Sequence, residues 1–116
     1  MPSAKKPRGP RKFEVVFRAT AETDLFGLYD YVTEQSGAEI ARTYIDRIEN
    51  ACMALEAFPE RGMRRDDIHR GLRILGFERR VAIAFKIDKR RHEVLIIRIF
   101  YGGRAYERVL LEPDTE

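Results

Sequence analysis

A nearly continuous apolar stretch near the end of the chain, residues 94–101, constrains the fold more than any other feature. It is rich in β-branched and aromatic residues, and it stops at the pair Gly102 and Gly103. This composition is typical of a strand covered on both faces, because a strand with one solvated face alternates apolar and polar residues. Only Arg98 interrupts the stretch. We therefore expect an interior strand of a sheet, with helices over at least one face.

The sequence before this strand predicts a short strand and two helices. Residues 13–17 are predicted to form a short strand, with Phe13, Val15 and Phe17 on one face. Thr20 is expected to cap the first helix, which ends at Gly37, and a second helix stops before Pro59. A linker of about three or four residues predicts an antiparallel helical hairpin. The apolar stripes of the two helices are Ala21, Leu25, Leu28, Tyr29 and Val32, then Ala41, Tyr44, Ile45, Ile48, Cys52 and Leu55.

A charged loop at residues 58–70 leads into further strands. A short strand at residues 71–75 ends at Gly76, and residues 79–87 alternate, with Val81, Ile83, Phe85 and Ile87 on one face. Short charged turns between successive strands predict an antiparallel meander that ends with the apolar strand. Residues 104–111 fit either a last helical turn or an edge strand.

The predicted fold class is therefore α+β. An N-terminal strand is followed by an antiparallel helical hairpin, a three-stranded antiparallel meander and a short C-terminal segment. The hairpin packs on one face of the sheet, the other face is partly open, and the first strand lies at an edge. We expect a basic flexible tail at residues 1–12, one domain at residues 13–111 and an acidic tail at residues 112–116.

Charge is unevenly distributed along the 116 residues, whose formal net charge is +3. Residues 13–60 carry ten acidic and three basic side chains, whereas residues 73–108 carry four acidic and ten basic ones. This polarity indicates either an electronegative partner for the basic part or two solvated surfaces.

The sequence contains few of the residues that bind metals or form disulfides. One cysteine and two distant histidines exclude a disulfide framework and provide no metal-ligand spacing, so we expect no cofactor. No segment is long and apolar enough for a signal peptide or a membrane span, which favours a cytoplasmic protein. Paired catalytic carboxylates, a nucleophile elbow and a phosphate loop are also missing from the sequence.

Arginine and tyrosine side chains are the chemistry that remains. They come from adjacent strands and the C-terminal segment, so several are expected to converge on one patch suited to phosphate or carboxylate. Arg98 lies within an apolar strand and must pair with either an internal acid, such as one on the helices, or a ligand. The candidates are Arg73, Arg79, Arg80, Arg98, Tyr101, Arg104 and Tyr106.

An ordered set of short motifs resembles the ParE toxins of the RelE/ParE superfamily, which belong to type II toxin–antitoxin (plasmid stabilisation) modules. The matching pieces span about residues 13–111. They include residues 21–25 and 29–32, the helix positions Ala41, Tyr44 and Ile48, the loop at residues 55–62, residues 71–73 and the stretch at residues 96–104. Tyr101 and Ala105 stand where family members often have His and Asp.

The resemblance implies a toxin that blocks DNA gyrase and traps cleaved DNA. It also implies a ParD-like antitoxin, whose ribbon-helix-helix domain binds operator DNA and whose following segment folds onto the toxin, so the toxin contacts DNA only indirectly. The candidate residues for target binding are Arg73, Arg79, Arg98, Tyr101, Arg104 and Tyr106. The candidate residues for antitoxin binding are Leu28, Tyr31, Tyr44, Ile48, Arg80, Ile83 and Phe85.

Two other functions stay open for this sequence. One is a ribosome-dependent mRNA endonuclease of the RelE type, which needs a base, phosphate-binding cations and an acid for the leaving oxygen. Glu78 is then the candidate base, Arg73, Arg79 and Arg98 are the cations, and Tyr101 or Tyr106 is the acid. The other is an inactive family member that acts only as a binding partner.

Overall fold

The computed structural model describes residues 12–102 and 106–111, and these form an α+β fold in the predicted order. A single 3-10 turn, Ala54–Glu56, follows the second helix. The elements are β1 (Glu14–Phe17), α1 (Ala19–Ser36), α2 (Ala38–Met53), β2 (Met63–Arg64), β3 (Arg73–Phe77), β4 (Val81–Asp88), β5 (Glu93–Tyr101) and α3 (Tyr106–Leu111).

The strands form one sheet with the order β1-β5-β4-β3-β2. Strands β3, β4 and β5 pair as the predicted antiparallel meander. Strand β1 lies at one edge, as expected, where it pairs parallel with β5. Strand β5 therefore has a neighbour on each side, which confirms its interior position. The sequence reading missed β2, a two-residue strand in the charged loop, and ended β3 too early, because Gly76 lies within that strand.

The helical hairpin packs on one face of the sheet. Its two helices are joined by Gly37 alone, which is shorter than the three or four residues that we expected. Gly37 has a φ of 98°, where a side chain would be strained, and its N–H donates to the carbonyl of Thr33. Beneath the hairpin, Ile48, Leu55, Ile83 and Phe85 are completely buried. Burial of each such side chain contributes about 1.5–3 kcal/mol.

Helix α1 also covers the part of β5 that extends beyond its pairing with β1. Strand β1 ends with Phe17 opposite Ile96, and Ile97 is an extra residue in the β4–β5 pairing, a β-bulge. The Thr20 hydroxyl donates to the carbonyl of Ile97 at 2.7 Å, and the Asp24 carboxylate accepts the Ile99 N–H at 2.8 Å. Thr20 is therefore not the helix cap; α1 begins at Ala19 with Arg18 as the cap residue, two residues earlier than a cap at Thr20 implies.

Asp24 is also the internal acid that the apolar strand required for Arg98. The Arg98 guanidinium donates to both carboxylate oxygens of Asp24, from Nε at 2.8 Å and from a terminal nitrogen at 3.0 Å. This pairing raises the pKa of Arg98 further. Of the two alternatives left open by the sequence, the internal partner is the one that the structure shows.

The second face of the sheet is covered by α3 and the loop at residues 65–72, and it is less open than expected. A second apolar cluster lies there, formed by Ile68, Leu72, Ile74, Ala84, Phe100 and Leu110. Arg65 donates to the Tyr106 hydroxyl at 3.1 Å and to Glu107 at 3.2 Å, which ties α3 to the loop. Residues 106–111 therefore form a short helix and not an edge strand.

Candidate functional site

A cleft opens where the helical hairpin meets the β3–β4 turn and the end of β5. It consists of two adjoining cavities of about 650 and 550 Å³. One cavity lies beside α2 and the other beside α1, and Arg80 and Tyr101 line both. We call this feature the Arg80 cleft. Cavities of this size can each accept a large side chain or a small ligand.

Three tyrosines form the aromatic wall of the cleft. The Tyr101 ring lies 5.9 Å from the Tyr31 ring and 6.1 Å from the Tyr44 ring, measured between centroids. Partial burial and the neighbouring Tyr101 raise the pKa of Tyr44 above its ordinary value. The Tyr44 hydroxyl therefore remains protonated at neutral pH and available as a hydrogen-bond donor.

The β3–β4 turn places Arg80 in the cleft through a strained backbone. Glu78 and Arg79 have φ values of 49° and 67°, a region that side chains disfavour. The Arg80 N–H donates to the Glu78 carbonyl at 2.7 Å, and the Arg80 carbonyl accepts the Gly102 N–H at 2.8 Å. Strain of this kind persists only where the surrounding structure holds it, and it is enriched at functional sites.

An ion pair with α2 holds the turn in place. Arg47 donates to both carboxylate oxygens of Glu78, at 3.0 and 2.9 Å. These hydrogen bonds lower the pKa of the Glu78 carboxyl, so it is ionised at neutral pH. The Arg47 guanidinium also lies 5.2 Å from the centroid of the Tyr44 ring. Arg47 and Glu78 therefore neutralise each other, and they line the α2 side of the cleft.

Arg80 differs from the other cations at the cleft because its charge has no direct partner. Within residues 12–102 and 106–111, no carboxylate forms an ion pair with Arg80, and its side chain makes no hydrogen bond. The side chain is exposed to solvent. Among the described residues, Arg80 is therefore the one cation that lines the cleft without an ionic partner, and its planar guanidinium next to an aromatic wall suits recognition of a carboxylate or a phosphate.

The structure does not bring the predicted target-binding residues into one patch. Tyr101 lines the cleft and Arg79 lies in the adjoining turn, whereas Arg73 begins β3 at the opposite end of that strand and donates to the Arg61 carbonyl at 3.3 Å. Arg98 is engaged by Asp24 at the β5 edge. Tyr106 packs on the other face of the sheet. The prediction for Arg104 lies outside the described residues.

The predicted antitoxin-binding residues divide into two groups. Leu28, Tyr31, Tyr44 and Arg80 all line the cleft. Ile48, Ile83 and Phe85, in contrast, have no exposed surface, because they form the core between the hairpin and the sheet. Only the first group has surface that a partner could contact, and we leave the three core residues out of the site.

Sequence reasoning missed several residues that shape this site. Neither Asp24 nor Arg47 is among the candidate residues that the sequence predicts. The pairing of Asp24 with Arg98 joins residues that are 74 positions apart, and Arg47 meets Glu78 across 31 positions. The apolar run around Arg98 was the only signal for either pair, and it indicated that Arg98 needs either an internal acid or a ligand without identifying which.

The described part of the chain offers no metal site and no membrane span. Among residues 12–102 and 106–111, His, Cys, Asp and Glu side chains do not gather in groups of three or more that could hold a metal ion. Neither α1, α2 nor α3 combines the length and the apolar character needed to cross a bilayer.

Comparison with known proteins assigns the chain to a family. Residues 15–106 match the family model described as ParE toxin of the type II toxin–antitoxin system parDE. A search of curated protein sequences finds no match.

Solved structures share the fold. A chain of the chromosomal ParDE toxin–antitoxin system from P. aeruginosa superposes with a TM-score of 0.69 at 24% identity, covering 79% of this chain and 98% of that one. A chain of the RelBE2 toxin–antitoxin complex from Mycobacterium tuberculosis gives a TM-score of 0.56 at 18% identity, covering 78% and 98%. Together with the family match, which covers most of the described residues, these findings show that the chain belongs to the ParE toxin family of type II toxin–antitoxin systems.

Proposed function

We propose that this protein is a toxin that inhibits DNA gyrase without being an enzyme, and that a ParD-like antitoxin neutralises it. The observation that carries the proposal is the match of residues 15–106 to the ParE toxin model. Gyrase is the target that the resemblance to ParE toxins implies. The polar side chains of the described surface support a binding role. Arginine binds anionic groups and stacks on aromatic rings, and the arginines and tyrosines described here include no activated nucleophile.

The placement of the candidate nuclease residues argues against the RelE-type alternative. The candidate base, Glu78, is bound by Arg47 and its pKa is lowered, which makes it a weak base at neutral pH. The Arg98 guanidinium is occupied by Asp24 and is not directed at a phosphate. Tyr106 lies on the face of the sheet opposite to Glu78. Tyr101 lines the same cavity as Glu78, and Arg79 lies in the adjoining turn, but the Glu78 carboxylate is bound by Arg47, so this group lacks a free base for strand cleavage.

A supercoiling assay tests the proposed target. Purified protein is added to gyrase, ATP and relaxed plasmid, and we expect a dose-dependent loss of supercoiled product. Relaxation of supercoiled plasmid by a topoisomerase of another class serves as the control and should be unaffected. Unchanged supercoiling, together with cleavage of mRNA on ribosomes, would favour the endonuclease instead.

Expression in cells tests neutralisation by a partner. The protein should stop growth when it is expressed alone, and co-expression of the small protein encoded beside it should restore growth. The two proteins should then co-purify as one complex. Failure to stop growth, combined with a stable complex, would indicate the inactive binding member of the family.

A further inference from the structure

We infer that the Arg80 cleft recognises an extended antitoxin segment in which an acidic residue is flanked, two positions away on each side, by large apolar residues. The acidic side chain pairs with Arg80, and each apolar side chain enters one of the two cavities. This inference rests on the proposed function for the existence of the antitoxin. It adds the docking position and the sequence pattern of the segment that docks there.

Charge complementarity identifies the class of occupant. Two nearby arginines are already neutralised, Arg47 by Glu78 and Arg98 by Asp24, and Arg79 lies in the adjoining turn but lines neither cavity. Arg80 has no ion pair with any described residue, and both cavities border it. An occupant that buries Arg80 must therefore supply one anionic group, because a cation left unpaired in an interface is strongly destabilising.

The same charges favour a peptide over a nucleic acid. Of the described residues, three with carboxylates, Asp24, Glu39 and Glu78, line the cavities, whereas Arg80 is the one lining cation without an ion pair. A nucleic acid strand carries a phosphate at every nucleotide and needs several cations along its path. A peptide with a single carboxylate requires only one cation, and its apolar side chains are not repelled by the neighbouring acids.

The apolar lining indicates what flanks the acidic residue. The α2 cavity is bordered by Ile40, which is 57% exposed, and the α1 cavity is bordered by Tyr31, which is 49% exposed. When a partner covers large side chains that are this exposed, apolar surface is removed from water, and this stabilises the complex. Tyr31 belongs to the aromatic wall, and Ile40 lines the same cavity as Tyr44 and Tyr101 of that wall.

Strand geometry sets the spacing of the pattern. In an extended segment, side chains two positions apart point to the same side and lie about 7 Å apart. Arg80 borders both cavities, so we assign the residues two before and two after the acidic residue, which share its side of the strand, to the two cavities. The motif is therefore apolar–any–acidic–any–apolar.

The strained turn prepares Arg80 for this contact before the partner arrives. Positive φ values at Glu78 and Arg79 and the bidentate bond from Arg47 hold the turn in one geometry. A side chain presented from a fixed backbone loses less conformational entropy on binding than one on a mobile loop. Arg47 and Glu78 therefore act as positioning residues for Arg80.

Binding measurements on the full toxin and the full antitoxin encoded beside it test the inference. We expect Arg80→Ala to weaken the complex about 10- to 100-fold, because a charge-assisted hydrogen-bonded pair is lost. Arg80→Lys should lie in between, since lysine keeps the charge but not the fork. Arg91→Ala is the matched control: Arg91 is also an exposed arginine next to a hairpin turn, and its loss should change the affinity less than about twofold.

A charge exchange makes the assignment specific. Arg80→Glu should abolish tight binding. Replacing the acidic residue of the antitoxin motif with lysine should then raise the affinity of the Arg80→Glu toxin for the antitoxin at least about tenfold. Equal melting temperatures of the toxin variants show that each one folds. If the wild-type toxin binds the antitoxin and the Arg80→Ala variant binds it as tightly as the Arg91→Ala variant does, the inference is wrong. The proposed function is then unaffected.

Two further results are decisive. If Arg80→Ala lowers the affinity for a single-stranded DNA oligonucleotide and leaves that for the antitoxin unchanged, the cleft is a nucleic-acid site and the inference is wrong. If wild-type protein binds no antitoxin at all, the proposed function fails and the inference fails with it.

Discussion

The pair formed by Asp24 and Arg98 gives the strongest prediction of stability. One Asp24 carboxylate receives two hydrogen bonds from the Arg98 guanidinium and a third from the Ile99 N–H. The side chains of Asp24 and Arg98 are only 12% and 24% exposed, so solvent screens the pair weakly. Asp24→Ala removes three hydrogen bonds at once and leaves a guanidinium and a backbone N–H at the sheet edge without protein partners.

The expected magnitude follows from these contacts. Breaking a fully buried ion pair costs about 3–5 kcal/mol, and the residual exposure of Arg98 reduces this, so we expect Asp24→Ala to lower the free energy of unfolding by about 2–4 kcal/mol. Asp24→Asn keeps one acceptor and should cost about 1–2 kcal/mol. For a domain of this size, each kcal/mol corresponds to a fall of about 4–8 °C in melting temperature.

Urea unfolding followed by circular dichroism measures these changes. Asp30→Ala is the control, because Asp30 is an exposed carboxylate on the same helix, and its removal should change stability by less than about 0.5 kcal/mol. A double-mutant cycle of Asp24→Ala with Arg98→Met should give a coupling energy of about 1–3 kcal/mol. A coupling energy near zero would refute the reasoning that this pair holds α1 against β5.

Three further predictions concern the turn, the ion pair and the cysteine. Arg79→Gly should raise the free energy of unfolding by about 0.5–1 kcal/mol, since glycine accepts the positive φ without strain; a loss of stability in urea melts would contradict this. An NMR titration should find the pKa of Glu78 below the ordinary glutamate value, and Arg47→Ala should return it to that value. Because the folded pKa is the lower one, the pair stabilises the fold above the ordinary pKa, and this contribution disappears as the pH falls through the folded pKa. Burial raises the pKa of Cys52 to about 12, so a thiol reagent at mildly alkaline pH should label it only on unfolding, and rapid labelling of folded protein would show that the core is open.

The sequence predicted the layers of the fold because hydrophobic periodicity is a strong local signal. The helical stripes and the alternation in β4 both place one face toward a core, and the apolar run at β5 requires neighbours on both sides. The elements that it missed lack such a signal. Strand β2 has only two residues, both exposed, and it is a strand only because Gly62 allows the chain to approach Ile74, where an added Cβ would lie 2.5 Å from the carbonyl oxygen.

The site was less predictable than the fold because side chains from distant segments build it. Arg80 and Tyr44 were identified as candidates, but the Arg47–Glu78 pair that supports them depends on the packing of α2 against the β3–β4 turn. Ile48, Ile83 and Phe85 were selected on apolar character alone, which does not separate a core residue from an interface residue. Arg98 was expected either to pair internally or to bind a ligand, and only the approach of α1 to the edge of β5 provided Asp24.

The most direct test of gyrase inhibition mixes the protein with gyrase and supercoiled plasmid and ends the reaction with a denaturant. Adding the purified protein before detergent and protease should produce linear DNA, because the toxin holds the enzyme in the state where the strands are cut. Prior addition of an equimolar amount of the antitoxin encoded beside it should abolish the linear product. Absence of linear DNA at every toxin concentration, with normal supercoiling in the parallel reaction, would contradict the account.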